Sequence, residues 1–85
     1  MNDFKRALRA ALITQFKVGR DVLSDDTELF TGGFIDSLAV MDLVSFVEGE
    51  LGCPIPPADI TLEHFGSIER IVTYARTLTG PGREP

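Results

Sequence analysis

Asp36 and Ser37 stand where an irregular, glycine-containing stretch gives way to the apolar periodicity of residues 38–51. A serine hydroxyl at a helix start suits a phosphate ester, because unpaired backbone N–H groups and roughly half a positive charge lie beside it. Asp36 has the side chain of an N-cap, able to accept from the first free N–H groups. That places Ser37 at the first helical position with its hydroxyl outward. An ordinary capping serine has the same local signature, so the pair alone does not distinguish the two roles.

The other reactive side chains suggest little chemistry. Cys53, the single cysteine, lies between Gly52 and Pro54 with no histidine near it in sequence, and reads as a buried or bystander thiol. It can form neither an internal disulfide nor a cysteine-rich metal site. His64 is the single histidine; one unpaired imidazole makes no metal site or triad, and a surface or helix-end position is expected. Gly32 and Gly33 lack the spacing and the following Gly-Lys-Ser/Thr of a phosphate-binding loop. They read as turn residues that let the chain reach Ser37. No set of nucleophile, base and oxyanion donors assembles, so the expectation is no catalytic residue, no metal and no independent enzyme.

The elements that position Ser37 follow from periodicity. Asn2 or Asp3 can cap a first helix in which Phe4, Leu8, Leu12 and Phe16 form a core stripe beside Ala7 and Ala11. Asp3 and Lys17 match its dipole, and Gly19 offers a left-handed stop. From Val18 to Ile35 the period is lost, and Ser24, Asp25, Asp26 and Thr27 supply turn chemistry. So long a connection is expected to hold a helical turn or a role of its own. Val22, Leu23, Leu29, Phe30, Phe34 and Ile35 are available to pin it to the core.

The second helix, about fifteen residues, separates into two faces at about 100° per residue. Val40, Leu43, Val44, Val47 and Leu51 form the core side. Leu38, Met41, Asp42, Ser45 and Gly49 fall largely opposite, and Phe46 belongs to neither face. Gly52 ends the helix, and Pro54, Pro56 and Pro57 prevent its continuation. Asp59 or Thr61 can start a short helix through His64 and Phe65. Ser67 caps a last one with Ile68, Ile71, Val72, Ala75 and Leu78 on one face, stopped by Gly80. The expected fold is all-α, a small four-helix bundle with a long loop between helices 1 and 2 and a short third helix. A single domain over residues 1–79 and a polar, disordered tail over 80–85 complete the division.

The run Gly33-Phe34-Ile35-Asp36-Ser37-Leu38, the amphipathic helix ending in Glu50-Leu51-Gly52-Cys53-Pro54-Ile55-Pro56, and the following segment through Asp59-Ile60-Thr61-Leu62-Glu63-His64-Phe65 together resemble the acyl and peptidyl carrier proteins. The resemblance extends from about Thr27 to Leu78, and more weakly over the first helix. It implies that Ser37, with Asp36 as motif partner and cap, carries 4′-phosphopantetheine derived from coenzyme A. It further implies a carrier that holds acyl or aminoacyl groups as thioesters and presents them to partner enzymes of polyketide, nonribosomal peptide or related biosynthesis. Many family members have a glycine three residues before the serine; here Gly33 is four before. This form resembles D-alanyl carriers and stand-alone carriers of specialised pathways more than the housekeeping fatty-acid carrier. The start at Met1 and the short tail fit a free-standing protein.

In that family partner enzymes recognise the second helix, which assigns docking to Leu38, Met41, Asp42, Ser45 and Glu48. Ala39 and Gly49 stand where acids are common, so apolar area and shape are expected to carry much of the contact. Met is an adaptable contact, and Asp42 and Glu48 are steering charges. The implied partners are a phosphopantetheinyl transferase, acyl- or aminoacyl-loading enzymes and downstream biosynthetic enzymes, with the carrier monomeric.

Charge and composition agree with these expectations. Thirteen acidic and eight basic residues give −5, which disfavours nucleic acid and anionic membrane surfaces and favours basic patches on proteins. The same balance also serves solubility alone. Neither a signal-peptide core nor a run approaching the roughly twenty residues of a membrane span is present, so a cytoplasmic location is expected. Two other readings use the same residues: an unmodified helical module that binds through Leu38 and Met41, and a housekeeping fatty-acid carrier.

Overall fold

The computed structural model describes residues 2–79. Four α-helices, α1 (Asn2–Thr14), α2 (Val40–Leu51), α3 (Leu62–Phe65) and α4 (Ile68–Thr79), surround one core, with a 3-10 turn at Pro57–Asp59. No strand occurs among the described residues. The tail expected over residues 80–85, and the stop expected at Gly80, lie outside them.

Helix α1 buries Phe4, Leu8, Ala11 and Leu12, the residues whose spacing defines its apolar stripe. It ends earlier than the sequence suggests. The Phe16 N–H reaches the Ala11 carbonyl at 3.3 Å and the Val18 N–H reaches that of Leu12 at 2.9 Å. Lys17 takes the left-handed conformation between them, at φ 62°, so it, and not the expected Gly19, turns the chain. The turn delivers Val18 into the core. Burial of Val18 offsets a left-handed backbone that costs a non-glycine residue about 1–2 kcal/mol.

Residues 15–39 contain no regular helix, and turn bonds organise them. Thr27 Oγ1 accepts from the Ser24 N–H at 2.8 Å and donates to the Val22 carbonyl at 2.9 Å. Leu23, Leu29 and Ile35 are buried and Phe30 packs partly against them. Val22 and Phe34, also expected in the core, are 49% and 37% exposed. Two backbone bonds anchor the segment to the α3–α4 junction: the Leu29 N–H to the Gly66 carbonyl at 2.9 Å and the Glu69 N–H to the Asp25 carbonyl at 2.8 Å. Lys5 of α1 also pairs with Asp25. A single helical turn closes with the Gly32 N–H on the Glu28 carbonyl at 3.0 Å. There a Cβ on Gly32 would lie 2.3 Å from that carbonyl oxygen, and Gly33 follows at φ 84°.

Leu43, Val44 and Val47 of α2 are fully inside, while Val40, Phe46 and Leu51 pack partly against the core. Phe46, on neither face by periodicity, is thus a half-buried flank. Gly52 ends the helix at φ 72° with its N–H on the Glu48 carbonyl at 2.8 Å, the left-handed glycine stop that the sequence predicts. Helix α4 packs against both α1 and α3. Ser67 Oγ accepts from the Arg70 N–H at 3.2 Å at the start of α4, and Ile68, Ile71, Val72, Tyr74 and Ala75 are buried. Tyr74 joins the core because its ring packs on Phe65 and His64, with centroids 5.8 and 4.5 Å away.

Candidate functional site

Asp36 shapes the site. Its Oδ1 accepts from the Leu38 N–H at 3.1 Å and the Ala39 N–H at 2.8 Å, the two donors an N-cap aspartate is expected to satisfy. Ser37, Leu38 and Ala39 form a turn, and regular α2 begins only at Val40. The expected position of Ser37 at the first helical residue is therefore corrected. Its backbone lies in the capped turn, three residues ahead of the helix, because the Asp36 carboxylate draws the chain into a tight loop before the ladder opens with Leu43 N–H to the Ala39 carbonyl at 3.1 Å. The helix correspondingly spans 12 residues. Ser37 remains exposed, and the free N–H groups of the α2 first turn follow it closely in the chain.

Beside Ser37 lies an apolar groove of about 230 Å³, walled by Phe30, Val40, Ile60, Leu62 and Phe65. Helix α3 supplies the far wall. A clasp holds α3 in place: Tyr74 of α4 donates its hydroxyl to Asp59 Oδ2 at 2.5 Å, and His64 Nδ1 lies 2.9 Å from the Asp59 carbonyl. Asp59 thus sits in the 3-10 turn preceding α3, and Thr61 is the residue at its N-terminal boundary. His64, expected on the surface or at a helix end, is half-buried against Tyr74 in the last turn of α3. Cys53 is a half-buried free thiol.

Around the groove the surface is apolar. Leu38 is 84% exposed, Met41 56% and Leu62 53%. Asp42 and Ser45 are exposed on α2. Glu48 differs: it is half-buried, and its Oε2 accepts from the Ile55 N–H at 2.8 Å, so its carboxylate holds the chain after the helix. Asp42 and Ser45 face a second hollow on the α1 side of α2. Of the site residues singled out in the sequence, Ser37 lines the groove and Asp36 caps its turn, while Leu38 and Met41 are exposed and line neither hollow; Phe30, Ile60 and Leu62, which do line the groove, were not among them. The signal for Leu62 was an apolar residue at the start of a four-residue helix, too short to show a periodicity. Among the described residues no group of three His, Cys, Asp or Glu side chains could hold a metal ion, and no helix is long and apolar enough to cross a membrane.

An exposed serine on a capped turn, open to a helix N-terminus and bordered by an apolar groove, fits a phosphate-linked chain. Comparison with known proteins agrees. A family model described as a phosphopantetheine attachment site matches residues 6–75. The D-alanyl carrier protein of Enterococcus faecalis is 35% identical over 57 residues, covering 67% of this chain and 73% of that protein. The chain belongs to the phosphopantetheine-attachment family of carrier proteins, and 4′-phosphopantetheine is its covalently attached cofactor.

Proposed function

We propose that Ser37 Oγ is the atom that bears 4′-phosphopantetheine and that the chain carries acyl or aminoacyl groups for partner enzymes without catalysing a reaction itself. One observation supports this above the others: Ser37 is the exposed hydroxyl in the Asp36-capped turn beside the apolar groove. When attached, the cofactor supplies a thiol that holds the cargo as a thioester. The residues of the chain do the rest. Asp36 fixes the turn so that the Ser37 hydroxyl projects toward solvent, and the α2 N-terminus offers positive potential for the phosphodiester. Phe30, Val40, Ile60, Leu62 and Phe65 offer apolar surface alongside.

The similarity to a D-alanyl carrier favours an aminoacyl cargo over a fatty acyl one, and a specialised pathway over the housekeeping fatty-acid route. Polyketide and nonribosomal peptide assembly are settings with the same chemistry. Leu38, Met41 and Leu62 would form the apolar contact with a phosphopantetheinyl transferase and the loading enzymes, with Asp42 and Ser45 at its rim. The carrier domain would extend over residues 1–79 and act as a cytoplasmic monomer. Tethering gives a bound group a high effective concentration at each docked enzyme, while a small contact permits release.

Intact-mass measurement with coenzyme A, Mg²⁺ and a broad-specificity transferase tests this. The expected result is gain of one phosphopantetheinyl group by the native chain and none by a folded Ser37→Ala variant. Loading of that variant would overturn the assignment.

A further inference from the structure

Two hollows flank the start of α2, and they differ in chemistry. The groove beside Ser37 is apolar apart from Ser37 and Thr61. The other, about 560 Å³, lies between the end of α1 and α2, and combines the rings of Phe16, Phe34 and Phe46 with the carboxylates of Asp36 and Asp42. No lysine or arginine lines it. Helix α1 ends beside it, and Lys17, three residues past that end, is not among the lining residues. Asp36 uses Oδ1 for the turn, which leaves Oδ2 for a ligand. Aromatic rings next to paired carboxylates suit an organic cation, which gains from ring faces and from opposite charge together.

We infer that this hollow receives the α-ammonium of an aminoacyl group carried on Ser37, a step that rests on the attachment and aminoacyl reading above. Asp36, the residue before Ser37, lines the hollow, so an arm attached to Ser37 that folds back along α2 brings its carried end there rather than into solvent. In the apolar groove an ammonium would lose hydration with no counter-charge. An uncharged acyl group has the opposite preference, because apolar surface is what it needs to cover. The two sides of α2 therefore sort cargo by charge: uncharged acyl groups toward α3, aminoacyl groups toward the end of α1. Asp42 is the specificity-determining residue, since its carboxylate faces the hollow and has no part in the Asp36 turn.

The test compares two stable arms on ¹⁵N-labelled protein, the alanyl and isobutyryl amides of amino-pantetheine, which match in shape and differ in the ammonium. Intact mass first establishes complete loading. The alanyl arm is expected to shift the amide resonances of Gln15, Phe16, Asp42 and Phe46, the isobutyryl arm to leave them in place, and Asp42→Asn to abolish the alanyl shifts. Equal shifts with both arms, or alanyl shifts confined to Ile60–Phe65, would overturn the inference while leaving attachment at Ser37 intact. Failure to load either arm would instead remove the reading beneath it.

Discussion

Asp36 does two jobs at one position: a single carboxylate oxygen closes the turn that presents Ser37 and satisfies two backbone donors. Removing it should therefore affect stability and modification together. Asp36→Ala is expected to lower unfolding stability by about 1 kcal/mol, the usual cost of losing such a cap, measured as a fall in the denaturant midpoint at unchanged slope. Arm attachment should slow as well, because the hydroxyl is no longer held at the turn. Ser37→Ala, an exposed change, should leave the midpoint within about 0.5 kcal/mol of the native chain. A large loss on Ser37→Ala would mean that the hydroxyl serves the fold and not a ligand. At this scale the sequence was informative, since capping chemistry is local and Asp36 caps the donors expected of it. The shift of regular helix to Val40 was not legible, because turn and helix share the same cap and differ only in how the next carbonyls are used.

At the scale of elements, the stop of α1 departs most from expectation. Glycine is the default for a left-handed residue, yet Lys17 occupies that conformation and Gly19, which attracted the assignment, does not. What decides is the placement of Val18 in the core, a tertiary demand no local pattern expresses. Lys17→Gly should raise stability by up to about 1 kcal/mol, as relief of left-handed strain outweighs the added freedom of the unfolded chain, read as a higher denaturant midpoint. Helix α3 makes a complementary case. Its four residues are too few to persist alone, and Tyr74, Asp59 and His64 hold it to α4. Tyr74→Phe keeps the ring packing but deprives Asp59 Oδ2 of its donor. Faster amide exchange over Leu62–Phe65, with α1 and α2 little changed, is the expected outcome; uniform acceleration would place the tyrosine hydroxyl in global stability instead. Tyr74 itself escaped the sequence reading although it stands three residues after Ile71 and four before Leu78, at the edge of the apolar stripe, because the partners that bury it lie at residues 59–65.

For the molecule as a whole, the apolar stripes of α1, α2 and α4 meet in one core, and that much was written in their periodicity. Of the long connection, the turn residues Ser24 and Thr27, a helical turn and the anchors Leu23, Leu29 and Ile35 were legible, while the exposure of Val22 and Phe34 was not, because it depends on which side chains happen to meet. The surface divides likewise. Leu38, Met41 and Leu62 are exposed on a chain of net charge −5, so in the proposed docking role apolar contact and long-range attraction to a basic surface would operate together. Met41→Glu is expected to raise the KM of the transferase for this carrier several-fold, with thermal stability unchanged, since the side chain is largely exposed and charge at the centre of an apolar contact is costly. Raising ionic strength should slow association of the native chain, as it screens attraction between distant charges. An unchanged KM would show that Met41 lies outside the contact.

Of the four serines in this chain, Ser37 is the one proposed to carry the prosthetic group. Fragment mass spectrometry of the modified protein tests it most directly, by locating the added phosphopantetheine along the sequence. The group is expected on Ser37, with Ser24, Ser45 and Ser67 unmodified. Modification at any of those three, with Ser37 bare, would contradict it.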